Sequence, residues 1–252
     1  MSFTPNATQS WRIGYQAALK RVRSQLTHAP ENAPIRLAKK TSKLFRDRAA
    51  NQAARLDVSS FGSVFEVDPV NRTAEVGGMT TYEDLVAATL SYGLMPLCVP
   101  QLRTITLGGA VTGLGIESAS FRNGTPHESV LEMDILTGTG EVITVSGQEN
   151  DPHRDLFFTF PNSYGSLGYA LRLKIELEPT KPFVHISHLR FDSAAALTVA
   201  MKDLSASAMF NESPVHFLDG TVFSPTEQYL TVGTMVAAVP VGRSTSDYTG
   251  MS

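Results

Sequence analysis

The stretch TITLGGAVTGLGIESASFRNG, residues 104–124, decides how the rest of the chain is read. It carries Gly108, Gly109, Gly113, Gly115 and Gly124 in a setting whose only charges are Glu117 and Arg122. Residues without a Cβ gather where a backbone turns sharply or where something approaches it closely. The spacing excludes two common phosphate grips. GxxxxGK[ST] is absent, and GGAVTGLG lacks both the glycine order and the preceding strand–helix–strand frame of a Rossmann fingerprint. No GxSxG turn presents a nucleophilic serine. Two readings stand on the residues alone. One is a glycine-rich crossover inside a core. The other is a loop that lays backbone N–H groups along a flat or phosphorylated ligand.

The flanks supply regular structure. Before the stretch, GGMTTYEDLVAATLSYGL (77–94) reads as a helix with a Thr80–Glu83 capping box, stopped at Gly93. Residues 95–99 follow as a buried strand that holds Cys98 and ends at Pro100. After the stretch, two alternating runs, 130–136 and 141–145, flank TGTG as a hairpin. A short helix is expected at 155–158, a turn between Gly165 and Gly168, and a strand over 170–177. Upstream, residues 35–38, 56–58, 63–67 and 73–76 read as extended, with DPVN at 68–71 as a turn. The first of these strands runs into KKTSKLFR (39–46). Lysines, hydroxyls and backbone N–H groups at a strand end suit a phosphate, and a solvated basic turn fits as well.

The whole chain bounds these choices. Its 252 residues allow one large domain or two modest ones. With 42% hydrophobic and 18% charged residues it has the composition of a soluble globular protein, and a cytoplasmic location is expected. A net charge of −3 gives no reason to expect nucleic acid as partner. The lone Cys98 excludes an intrachain disulfide and a cysteine-rich metal centre. Residues 8–27 read as a basic amphipathic helix through Trp11, Tyr15, Leu19, Val22 and Leu26. Such a helix either docks on the first domain or makes peripheral membrane contact; an Arg-rich, acid-poor start also suits a transit peptide.

Three segments are therefore expected: an N-terminal helix over 1–30, an α+β domain over 31–180, and the start of a second α+β domain over 181–252. In the last, a strand at 185–191, a Ser193-capped helix to 204, and strands at 215–218 and 229–235 precede a polar tail. So short a unit looks truncated. His185 and His188 fall on opposite faces of their strand and make no metal pair.

The order of these pieces resembles the FAD-binding (PCMH-type) domain of the vanillyl-alcohol-oxidase-type flavoproteins. The similarity is greatest to the Diminuto-like 24-dehydrocholesterol reductases and their bacterial relatives. It spans about residues 33–250 and is most specific in TLGGAVTGLGIES and GSLGYALRLKIEL. The resemblance implies a two-lobed α+β domain clamping an extended, dissociable FAD, with a substrate (cap) domain following. It implies cofactor contacts at Pro100, Thr106, Leu107, Gly108, Gly109, Thr112, Gly113, Gly115, Ile116 and Ser118. Lys40, Thr41 and Ser42 would form the first pyrophosphate loop, here without glycine, and Gly165 and Gly168 the turn beneath the flavin. Covalent members use a histidine in the first loop or a cysteine near the second, and residues 39–46 hold no histidine. His127 is the candidate for steering a proton, with a surface-turn histidine held by Glu128 or Ser129 as the alternative. The implied activity is hydride transfer through flavin N5: reduction of a C=C bond in a sterol-like or other apolar substrate, or oxidation of an alcohol. A non-catalytic FAD-binding remnant is the competing reading.

Overall fold

The computed structural model describes residues 7–30, 34–38 and 54–246, which fall into two compact units. The first comprises Met1–Ile116 and Thr125–Glu178, the second Glu117–Gly124 and Pro179–Ser252. The basic stretch 39–46, with Lys40, Thr41 and Ser42, lies outside the described residues.

The first unit opens with α1 (Ala7–Thr27). Strands β1 (Ile35–Ala38) and β2 (Ala54–Asp57) pair in parallel, Leu37 against Leu56. An antiparallel hairpin follows, β3 (Val64–Asp68) and β4 (Thr73–Gly77). Its turn is closed by the Asp68 carboxylate, which accepts the N–H groups of Val70 at 2.9 Å and Asn71 at 3.0 Å. Then come α2 (Tyr82–Leu90), β5 (Leu94–Pro96) and α3 (Leu107–Gly113). The four-residue α4 (Ser120–Asn123) belongs to the second unit. The first unit resumes with β6 (Val130–Leu136), β7 (Val142–Ser146), α5 (Arg154–Thr159) and β8 (Tyr169–Pro179). The large sheet runs β3-β4-β8-β6-β7, with β5 also on β8.

Two cores hold this unit. One joins Val76, Met133, Leu173 and Ile175 of the sheet to Tyr82 and Leu85 of α2 and to Leu107 and Val111 of α3. The other sets Tyr15, Ala18, Leu19 and Val22 of α1 on Leu56, Val58, Phe61, Leu136 and Leu171. The helical spacing of that apolar face is thus spent on the domain, as a docked helix requires, while Arg12, Lys20 and Arg23 stay exposed. Trp11 stacks on Phe65 at 5.3 Å between centroids and donates its indole N–H to Glu66 at 3.0 Å.

Between α1 and the sheet lies a buried ionic cluster centred on Arg172 of β8. Its guanidinium donates to Asp134 at 3.0 and 2.9 Å, to Glu75 at 2.6 Å and to Glu132. Asp134 also accepts from the Tyr15 hydroxyl at 2.6 Å and the Thr144 hydroxyl at 2.8 Å. Burial alone pushes the Asp134 carboxyl up, but the hydrogen bonds and charge of Arg172 outweigh it, and its pKa lies below the ordinary value. A carboxyl whose folded pKa is depressed contributes stability above its unfolded pKa of about 4 and loses it as pH falls through the folded value. The melting temperature is therefore expected to fall on acidification below about pH 4, and Asp134→Asn to flatten that part of a calorimetric pH series. A profile unchanged by the substitution contradicts this role.

In the second unit, β9 (Phe183–Phe191), β12 (Phe217–Ser224) and β13 (Glu227–Val236) form an antiparallel sheet in the order β12-β13-β9. Helix α6 (Ala194–Ser207) packs on it, capped by the Ser193 hydroxyl, which accepts the Ala196 N–H at 3.4 Å. A two-residue ladder, β10 (Met209–Phe210) with β11 (Ser213–Pro214), lies between them in sequence.

Several sequence expectations shift. The helix cap is Thr81, not Thr80: its hydroxyl accepts the Asp84 N–H at 3.2 Å, while Thr80 is wholly buried. The strand at 95–99 is shorter, because Pro96 ends β5; Cys98 lies beyond it and is buried. The strand expected at 215–218 begins at Phe217 and continues to Ser224. Residues 117–124, read as part of the 31–180 domain, cluster with the second unit.

Candidate functional site

The glycine stretch is not one loop. Its first half is helix α3, nucleated despite its glycines because every early N–H finds a partner. The Leu107 N–H donates to the Thr80 carbonyl and that of Gly108 to the Gly78 carbonyl, both at 2.9 Å. The buried Thr106 hydroxyl accepts the Gly109 N–H at 3.3 Å as the cap. The expectation of free N–H groups along a ligand thus fails over residues 107–109. Gly108 serves packing: a Cβ there would stand 2.7 Å from the Gly78 carbonyl oxygen. Gly78 is tighter still, its Cβ position being 1.9 Å from the Ala170 carbonyl oxygen. Leu107 and Pro100 are buried, and a Cβ on Gly109 would press on the Thr106 hydroxyl at 2.9 Å.

The second half is open. A Cβ on Gly113 would meet nothing within 4 Å. Thr112 folds its hydroxyl back onto the Gly108 carbonyl at 2.8 Å. Leu114 is left-handed, with φ of 55°, and holds an exposed side chain. Ile116 is 85% exposed. Neither Gly115 nor Ile116 donates its backbone N–H to a partner among the described residues. The exposed side chains of Leu114 and Ile116 form an apolar shelf.

A strained turn flanks this shelf within the same unit. Asn162, Tyr164 and Gly165 are left-handed, with φ of 59°, 51° and 83°. The N–H of Asn162 donates to the Val111 carbonyl at 3.3 Å, and that of Tyr164 to the Thr112 carbonyl at 2.9 Å. The turn is thereby tied to the last turn of α3. Two non-glycine residues in this conformation cost about 1 kcal/mol or more each, and such strain gathers at functional sites. Gly168, φ 131°, brings the chain back so closely to β6 that a Cβ would lie 2.3 Å from the Leu136 carbonyl oxygen.

Other candidates lie apart in role. His127 sits in a short 3-10 turn, Pro126–Ser129, and its Nδ1 lies 2.7 Å from the Thr125 hydroxyl. Glu128 instead accepts the Thr125 N–H at 2.6 Å, and that bond holds its carboxyl below the usual range. Ser118 belongs to the second unit, where its carbonyl accepts the Leu218 N–H at 2.8 Å. His188 hydrogen-bonds Thr231 at 3.0 Å, and no cluster of metal-ligating side chains occurs among the described residues. No described helix is long and apolar enough to cross a membrane.

Sequence reasoning passed over Gly78, Leu114, Asn162 and Tyr164. The glycine pair 77–78 and asparagine's tolerance of left-handed backbone are the signals in the sequence that point to these positions.

Comparison with known proteins covers the stretch as part of a wider match. A family model described as an FAD binding domain matches residues 19–146, a little over half of the 252. Cytokinin dehydrogenase 7 of Oryza sativa subsp. japonica is 30% identical over 173 residues, 69% of this chain and 31% of that protein. The Delta(24)-sterol reductase of Arabidopsis thaliana is 26% identical over 181 residues, 71% of this chain and 32% of that protein. The human Delta(24)-sterol reductase is 27% identical over 172 residues, 68% of this chain and 32% of that protein. The chain spans about a third of the length of these curated relatives.

Proposed function

The chain belongs to the FAD-binding domain family and its cofactor is FAD; on that premise we propose that it is part of an FAD-dependent oxidoreductase whose open apolar shelf seats the cofactor. One observation carries the assignment to this stretch: a left-handed Leu114 and an almost fully exposed Ile116 stand on a glycine-flanked segment beside a strained turn. Exposed aliphatic side chains there invite the face of a flat ring, and the N–H groups of Gly115 and Ile116 offer donors to its polar edge. Gly113 leaves room that a side chain would fill. Gly165 and Gly168 support the same region through the turn. Thr106, Leu107 and Gly108 act one layer behind, by fixing α3. Lys40, Thr41 and Ser42 are assigned the pyrophosphate.

Bound FAD supplies hydride chemistry at N5, and we assign it to reduction of a C=C bond in an apolar, sterol-like substrate. Two of the relatives above are named for sterol reduction and one for dehydrogenation, so oxidation of a substrate is the second reading. His127 is the candidate proton carrier, since Thr125 engages Nδ1 and leaves Nε2 for exchange. The cofactor is held without a covalent bond: Cys98, which follows β5 in sequence, is buried.

The test uses Gly113→Val and Ile116→Asp. Both positions are open, so circular dichroism and melting temperature should hold, whereas FAD affinity by fluorescence quenching should fall at least about tenfold. Equal titration of the variants and the parent would remove the shelf from the cofactor site. The direction of transfer is read by mixing chemically reduced, FAD-loaded protein with an unsaturated sterol under anaerobic conditions. Return of the oxidised flavin spectrum supports reduction, and its absence supports the second reading.

A further inference from the structure

We infer that the outward face of α1 is a docking surface for anionic phospholipid headgroups, one that works while the helix stays packed on its domain; this rests on α1 alone and not on the cofactor assignment. Successive helical residues are turned by about 100°. Trp11, Tyr15, Ala18, Leu19, Val22 and Leu26 therefore share one side, the side that enters the second core. Diametrically opposite run Ile13, Ala17, Lys20 and Ser24, all exposed. Arg12 and Arg23 flank that line on one shoulder and Arg21 on the other, exposed as well. Four of the chain's 21 lysines and arginines thus fall in this helix, and none of its 24 aspartates and glutamates. In a chain of net charge −3, such a separation of sign turns this face toward a negative surface.

The cations are not spent on the fold. No ion pair among the described residues involves Arg12, Lys20 or Arg23. Arg12 lies over the Trp11 ring at 4.9 Å, and Arg21 donates to the Ser60 hydroxyl at 2.8 Å. A merely solvated basic face has no use for an aliphatic side chain, yet Ile13 stands at the crest with 67% exposure. Beside it, a Cβ on Gly14 would meet nothing within 4 Å. An aliphatic residue among cations suits the boundary between headgroups and acyl chains. It favours a bilayer over a nucleic acid, whose phosphates attract the cations and leave Ile13 in water. The apolar face of α1 is committed elsewhere: Trp11 stacks on Phe65, and the Tyr15 hydroxyl donates to the buried Asp134 carboxylate. The contact is therefore shallow, electrostatic and sensitive to salt.

The experiment sediments the full chain with vesicles of phosphatidylcholine, with or without added phosphatidylserine, and follows the fluorescence of Trp11, the only tryptophan of the chain. Binding is expected to the phosphatidylserine vesicles alone, and to disappear at high salt. Each cation near an anionic bilayer strengthens partition about fivefold. Neutralising Arg12, Lys20 and Arg23 together to glutamine should weaken it on the order of a hundredfold with the melting temperature unchanged. Lys20→Gln alone should cost about fivefold, which gives the same reading should the triple variant fold less well. Ile13→Asp should cost about fivefold or more. Lys202→Gln with Arg190→Gln removes two exposed cations of the second unit and should change nothing. A parent chain that ignores phosphatidylserine vesicles overturns the inference, as does one that binds duplex DNA and no vesicle. An equal loss in the second-unit pair also overturns it, because the attraction then lies outside α1. FAD loading should be the same in every variant, so failure here leaves the cofactor assignment untouched.

Discussion

Arg172→Met should destabilise the first unit by about 3–5 kcal/mol, as removal of one partner from a buried ion cluster generally does. The side chain of Arg172 is 9% exposed and its guanidinium is the counter-ion of Asp134, Glu75 and Glu132. Without it, an Asp134 carboxylate with 7% side-chain exposure keeps only hydroxyl donors from Tyr15 and Thr144. Arg172→Lys should recover only part of the loss, since an ammonium cannot fork between Asp134 and Glu75. Pairing Arg172→Met with Asp134→Asn should be milder than the single change, because less charge is stranded. Urea unfolding monitored by Trp11 fluorescence reads all three. A methionine variant within about 1 kcal/mol of the parent would mean that the cluster is solvated and contributes little.

The second large effect is expected at a glycine outside any ligand contact. Gly78→Ala places a methyl 1.9 Å from the Ala170 carbonyl oxygen and 2.8 Å from its carbon, both backbone atoms that cannot swing away. Either β8 or the segment before α2 must move, and with it the Gly78 carbonyl that accepts the Gly108 N–H. A cost of about 3 kcal/mol or more is expected, at the upper end for overpacked sites. Gly113→Ala is the control, because its Cβ meets nothing and alanine favours helix by about 1 kcal/mol. Equal melting temperatures for Gly78→Ala and Gly113→Ala would contradict the packing described here.

These two sites also mark where sequence reading stops. Helix α1, the β6–β7 hairpin and β8 follow from periodicity and turn chemistry, which are local properties. The Arg172 cluster is not local. Asp134 and Arg172 alternate with apolar neighbours as outward-facing strand residues do, and only the docking of α1 through Tyr15 buries them. The glycine stretch was legible as an unusual site, and its resemblance pointed to FAD. What the residues could not convey was the division of labour within it. Gly108 is required by the backbone of Gly78, some thirty residues earlier in sequence, whereas Gly113 faces open space. The crossover reading thus fits the first half, and the second half is open. Likewise the cap moved from Thr80 to Thr81 because Thr81 pairs with Thr106, a contact no local pattern encodes.

On the proposed function, this chain holds a dissociable FAD against residues 113–116. The most direct measurement is to incubate the purified full chain with FAD, separate it by gel filtration, and compare flavin absorbance with protein before and after acid precipitation. The expected result is equimolar FAD migrating with the protein, all of it released into the acid supernatant, and clearly reduced loading of Gly113→Val under the same conditions. Protein that elutes colourless and leaves the fluorescence of added FAD unquenched would contradict it, as would flavin that remains with the acid pellet.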